Sequence, residues 1–334
     1  MNEALWQPSR GSRAQQFARA KALRRLQFND AWFRQLTRAA AIAVLVVLGG
    51  IIISLVHGAW PALRTYGFAF LIDETWNPVT ERFGAAAAIY GTVVTSMLAM
   101  VIAVPVGVFI AMFLTEFCPM RLRAPIGIGI ELLAGIPSVV YGIWGLFVFA
   151  PFLQHYVQPA LIGAFGDLPG LSVVFAGPPY GIGVLTAGLI LAIMVLPFIT
   201  SIARDVFAAV PPVLKEAAHG LGATTWEVWR SVVLPYARTG VAGGIMLGLG
   251  RALGETMAVT FVVGNAHRIS GSILAPGTTI SATIANEFTE AVGDLYTSSL
   301  VALGLVLFVI TFLVLAAARL MLMRLNAQAG EVTP

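Results

Sequence analysis

Cysteine is nearly missing from this chain. Cys118 is the only one in 334 residues, which excludes an intrachain disulfide and a cysteine-built metal site. Charge is scarce as well: Asp, Glu, Lys and Arg make up 11% of the residues against 58% hydrophobic ones, and the mean hydropathy is +0.86. That balance excludes an ordinary soluble domain and indicates an integral membrane protein. No Gly-rich loop ending in Gly-Lys-Ser/Thr occurs, so this chain has no nucleotide cradle of its own. Its four histidines, His57, His155, His219 and His267, lack metal-ligand spacing, so no metal is expected. The basic start runs into a full-length apolar span without a small-residue cleavage site, so the first span is expected to stay as an anchor.

What is abundant is apolar sequence in long runs. A spanning helix needs about 20 mostly apolar residues, and six stretches qualify, at roughly 38–57, 86–113, 126–153, 181–203, 239–263 and 298–319. The expected fold is therefore all-α, with six transmembrane helices. Cations fix the expected orientation. Sixteen lysines and arginines fall in the N-terminal tail and on the side of the 114–125 and 204–238 connections, whereas only Arg64, Arg82 and Arg268 fall on the other side. Positive residues mark the cytoplasmic side, so both termini are expected there. Three regions follow: a basic tail over 1–36, a six-helix body over 37–320, and a short cytoplasmic tail over 321–334. From Gln15 to Leu36 the first tail mixes basic and apolar residues as a helix lying on the inner membrane surface would.

The connection 204–238 is too apolar for a flexible linker. Pro211 and Pro212 suit a helix start, residues 214–221 form a short helix, and Gly222 turns the chain. Thr224 or Thr225 caps a second short helix with Glu227 in its first turn. Two short helices at an angle would make a knob whose alanines and aromatics fill a groove on another protein.

The fixed positions of that knob are Glu216-Ala217-Ala218, three residues, Gly222, nine residues, Val232, and Leu234-Pro235. This spacing resembles the EAA loop of bacterial ABC-importer permeases, with valine in the usual isoleucine slot. The resemblance implies a type I importer permease fold. It also implies that Glu216, Ala217, Ala218, Gly222, Leu234 and Pro235 belong to a coupling loop docked on a separate cytoplasmic ATPase. Further stretches, YGTVVTS at 90–96, AGIPSVVYG at 134–142 and GRALGETMAV at 250–259 continuing to Gly264-Asn265, resemble the phosphate importer branch, and the last of them its C-type subunit. The branch implies a bacterial inner-membrane complex. Its partners would be a homologous second permease, two copies of an ABC ATPase that bind ATP and Mg, and a periplasmic phosphate-binding protein. This chain itself would be non-catalytic and free of cofactors. A permease for another oxyanion or phosphorus compound is the alternative.

Within the fifth stretch, Arg251 falls near the middle of the bilayer if the helix is counted from Gly240. A central arginine costs roughly 2.5–3.5 kcal/mol on insertion scales, so it needs a partner or water. Glu255, one turn later, is expected to pair with it until an oxyanion exchanges for the carboxylate at the guanidinium fork. An ionised Glu255 would also favour protonated phosphate over sulfate, which has no proton to donate. Gly240, Gly244 and Gly248, with a second stripe at Gly250, Gly254 and Ala258, predict close helix packing. Ser138 and Tyr141 are further path candidates, while Glu131 reads as a structural hydrogen-bonding group near the interface.

Overall fold

The computed structural model describes residues 13–166 and 168–330, with side chains placed for 32–166, 168–320, 322 and 323. Among the described residues, six helices are long and apolar enough to cross a membrane: Trp32–Tyr66, Ala86–Phe117, Ser138–Phe165, Val184–Ala208, Thr225–Leu253 and Asp294–Leu320. The chain divides into two compact units after His57. The first contains most of a helix that runs Arg13–Tyr66, and the surface-helix reading of 15–36 falls mainly on side chains outside the described residues. The second unit, from Gly58 onward, contains every candidate site residue.

The core of the second unit forms around the fourth span, whose Ile190, Leu191, Met194, Val195 and Ile199 are almost fully buried. The second and fifth spans pack against it. The first glycine stripe explains the closeness of the fifth. A Cβ at Gly240 would sit 2.6 Å from Val206, one at Gly244 2.8 Å from Ile202, and one at Gly248 3.0 Å from Val195. Bare backbone at these positions lets the two helices meet without a side-chain layer between them.

Two spans depart from the expected bounds. The stretch expected as one helix over 126–153 is split into a separate helix, Met120–Ala134, and a span that restarts at Ser138. Pro137 causes the break, because it has no N–H for the carbonyl of Leu133. Tyr141 supplies the replacement: its hydroxyl donates to Leu133 O at 2.8 Å.

The fifth span is displaced toward the N-terminus, starting at Thr225 instead of 239 and ending at Leu253 instead of 263. At its start Thr224 and Glu227 form a reciprocal capping box. The helix then passes Pro235 through a widened π turn, Trp229–Val233, which accommodates the missing N–H. The expected second short helix of the knob is thus the first turn of the fifth span itself. At the other end the chain leaves the helix at Gly254, and a new short helix, Met257–Thr260, begins three residues later.

At the end of the unit remote from the coupling loop, a two-stranded ribbon pairs Trp76–Asn77 with Arg82–Phe83. Its aromatic rings close over Glu287. That carboxylate accepts hydrogen bonds from Trp76 Nε1 and from Tyr296 Oη at 2.8 Å, and it pairs with His267 Nε2 at 2.8 Å. Burial pushes the Glu287 carboxyl up, but the His267, Tyr296 and Trp76 bonds outweigh it and hold the group below the ordinary glutamate range.

Candidate functional site

Arg251 is a half-buried residue in the last turn of the fifth span. Its guanidinium carbon lies 4.5 Å from the centroid of the Phe198 ring. Phe198 is near the middle of the 25-residue fourth span, about 21 Å from one end of that helix and 15 Å from the other. Arg251 therefore lies level with the middle of the fourth span, although the helix count that suggested a central position started from the wrong residue. A cation against an aromatic face gains about 2 kcal/mol when desolvated, less than the insertion cost of the charge. The remaining polar demand is unmet: Arg251 Nε is buried and has no hydrogen-bond partner.

The expected pair with Glu255 does not form. Among the described residues no carboxylate comes within 4.0 Å of Arg251. The reason is the break at Gly254, which removes Glu255 from the helical register that would have put it one turn above. Glu255 instead accepts the N–H of Ala258 at 3.3 Å, satisfying an orphan donor of the short helix that follows. The second small stripe is interrupted by the same break: Gly250 faces Leu315 of the sixth span, with 3.5 Å between a built Cβ and that side chain, while Gly254 caps the helix.

The other two path candidates differ in role. Tyr141 is buried and its hydroxyl is committed to Leu133 O, a structural use. Ser138 is half-buried in the first turn of the third span. Both belong to the helix that presses on the segment after Glu255, since a Cβ at Gly142 would lie 2.6 Å from Phe261 and 3.0 Å from Met257 O. The 90–96 stretch serves the same segment from the other side. A Cβ at Gly91 would fall 1.8 Å from Thr278 O, Thr92 Oγ1 accepts from Ile280 N at 2.9 Å, and Tyr90 Oη donates to Ser270 O at 2.7 Å. The three quoted stretches thus converge on one irregular segment, 254–280, that begins just past Arg251.

The coupling loop is separate from that site. Its helix Pro212–Gly220 starts on Pro211 and Pro212, and Gly222 turns the chain at φ +87°, where a side chain would strain. Glu216 and Ala217 are exposed, Ala218 is half-buried against the core beneath, and Val213 and Leu221 stand out 71% and 90% exposed. His219 closes the turn onto Ala223 O. Leu234 is half-buried and Pro235 exposed in the fifth span. Lys215 clamps the loop to the end of the second span through Glu116 at 2.6 Å. Trp226 stacks on Trp229, which meets Phe207 edge-on.

Sequence reasoning missed Phe198, because one phenylalanine in an apolar run carries no signal of which face it takes. It also missed the charge pairs. Glu131 is bound by Arg204 at 2.7 Å, and Gly127 makes room for that arginine, since a Cβ there would lie 2.8 Å from Arg204 Nη1. Placement of Glu131 agrees with a structural role.

Residues 103–326 match the family of binding-protein-dependent transport system inner membrane components. The chain belongs to this family. Among curated relatives of this permease, the phosphate transport system permease protein PstC of Mesorhizobium japonicum is 69% identical over 313 residues, 94% of this chain and 96% of that one. The protein of the same name from Pasteurella multocida is 57% identical, covering 90% and 93%. A solved bacterial alginate ABC transporter, in complex with an alginate-bound periplasmic protein, shares the permease fold at a TM-score of 0.59 and 18% identity over 89% of this chain and 97% of that one. Six spans and membership in an inner-membrane permease family make this a multi-pass membrane protein with the type I ABC importer fold.

Proposed function

We propose that this permease is the transmembrane subunit of an ATP-driven importer of inorganic phosphate. It forms half of the translocation path, with a homologous second permease supplying the other half. Two ABC ATPase subunits bind the ATP and Mg, one of them docking on this chain's exposed surface at Glu216, Ala217 and Leu221 and the other on the second permease, while a phosphate-binding protein delivers cargo to the opposite face. The N-terminal tail and both termini lie in the cytoplasm, following the arginine excess.

The observation that carries the reading is the buried Arg251 Nε without a partner. A guanidinium fork level with the middle of the fourth span, with free donors, suits a tetrahedral oxyanion. Phe198 supports its flat face. Glu255 keeps one oxygen for Ala258 N–H, so its other oxygen is available to accept the proton of a monohydrogen or dihydrogen phosphate. ATP-driven closure of the ATPases moves the coupling helices, and the Lys215 to Glu116 clamp transmits that movement to the second span.

The test is to copurify the chain with its associated subunits and ask which anion, presented on its binding protein, raises ATP hydrolysis. Stimulation by phosphate and not by sulfate is the expected result. Stimulation by sulfate or another oxyanion in place of phosphate would overturn the assignment.

A further inference from the structure

A second cationic site lies at the coupling-loop end of the second unit, remote from Arg251. Between the end of the second span, the helix Met120–Ala134 and the end of the fourth span there is a cavity of about 410 Å³, with Leu114, Met120 and Ile128 in its apolar wall. Arg123, Arg204 and Glu131 also line it. Arg204 is already neutralised by Glu131 at 2.7 Å and Asp205 at 3.1 Å. Arg123 is not: its hydrogen bond goes to the carbonyl of Thr115 at 2.7 Å, and among the described residues no carboxylate lies within 4.0 Å of it. The two arginines and the two carboxylates balance overall, but both carboxylates are held by Arg204, so Arg123 presents a guanidinium without a counter-ion beside an apolar wall, on the face that the arginine excess marks as cytoplasmic.

We propose that this cavity binds an acidic phospholipid of the inner leaflet, with the headgroup phosphate on Arg123 and an acyl chain along Leu114 and Ile128. An anion with an attached hydrocarbon matches both halves of the lining, and membrane-facing basic pockets of this kind suit anionic headgroups. A free phosphate would use only the cation. Thr115, whose carbonyl holds Arg123, precedes Glu116, the residue that clamps Lys215 of the coupling loop. Lipid on Arg123 thus sits one residue from the contact that seats the ATPase-facing helix. This site does not depend on the cargo assigned above.

Native mass spectrometry of the full-length chain, purified with the subunits it assembles with, provides the test. The complex is titrated with phosphatidylglycerol, phosphatidylcholine and inorganic phosphate. The wild type is expected to prefer phosphatidylglycerol, Arg123→Gln to lose about fivefold of that preference, and Arg123→Lys to retain it. Arg121→Gln, next door but outside the cavity lining, serves as the folded control and is expected to behave as wild type. Equal retention of phosphatidylglycerol by wild type and Arg123→Gln would overturn the site, and its displacement by inorganic phosphate at Arg123 would overturn the lipid assignment.

Discussion

Glu287 and Arg251 are treated in opposite ways by the same fold. Glu287 is surrounded by Trp76, Tyr296 and His267, all directed at its carboxylate. Arg251 has one aromatic face beneath it and a buried nitrogen with nothing to bond. Other partly buried charges follow the first pattern, as in Arg204 with Glu131 and Lys215 with Glu116. Among the described residues, these ion pairs are saturated, whereas the buried Arg251 Nε is left without a partner. Unmet buried donors cost stability, and a route for an anion needs them free.

The comparison breaks most visibly in stability. Glu287→Ala strands two polar donors and a histidine, and should lower unfolding stability of the complex by about 3–5 kcal/mol, read as a large fall in melting temperature. Arg251→Met should leave the melting temperature unchanged or raise it, because no partner loses a bond and a charge leaves the apolar interior. A large destabilisation by Arg251→Met would mean that the guanidinium is structural after all.

A smaller effect is expected at Phe198. Phe198→Leu removes the ring under the guanidinium, a contact of about 1–2 kcal/mol, and should raise the KM for uptake about five- to thirtyfold, while Phe198→Trp should preserve it. Transport kinetics in proteoliposomes would separate the two.

Acid should sharpen the contrast by a lesser amount. The folded Glu287 carboxyl lies below its ordinary value, so the unfolded chain binds its proton more tightly. The stability it contributes is complete above the ordinary glutamate range and is lost as pH falls through the depressed folded value. Wild type should therefore lose melting temperature on acidification in that window more steeply than Glu287→Gln, whereas Arg251→Gln should follow wild type.

The smallest change is expected at Glu255. Glu255→Gln keeps an oxygen for Ala258 N–H but weakens acceptance of a phosphate proton, so the ratio of phosphate to sulfate stimulation of ATP hydrolysis should fall severalfold.

Much of this was legible in the sequence. Six spans, the Pro212 helix start, the Gly222 turn, a threonine cap at Thr224 or Thr225, which the structure resolves to Thr224, and the Gly240, Gly244 and Gly248 packing stripe all rest on local rules, in which residue type and spacing determine the outcome. What was not legible depends on breaks and long-range neighbours. Hydropathy runs straight through Gly254, so the register that detached Glu255 from Arg251 left no mark in composition. Pro137 has no N–H for the carbonyl of Leu133, but nothing local says that Tyr141 takes it. Phe198 and the Arg204 pair with Glu131 come from segments far apart in the chain, and only packing brings them together.

The most direct test is phosphate uptake by reconstituted complexes containing Arg251→Gln, normalised to the amount of assembled complex. Uptake falling to background with assembly and melting temperature preserved is the predicted result. Uptake at the wild-type rate would contradict the claim that this unsatisfied guanidinium is reserved for the passing anion.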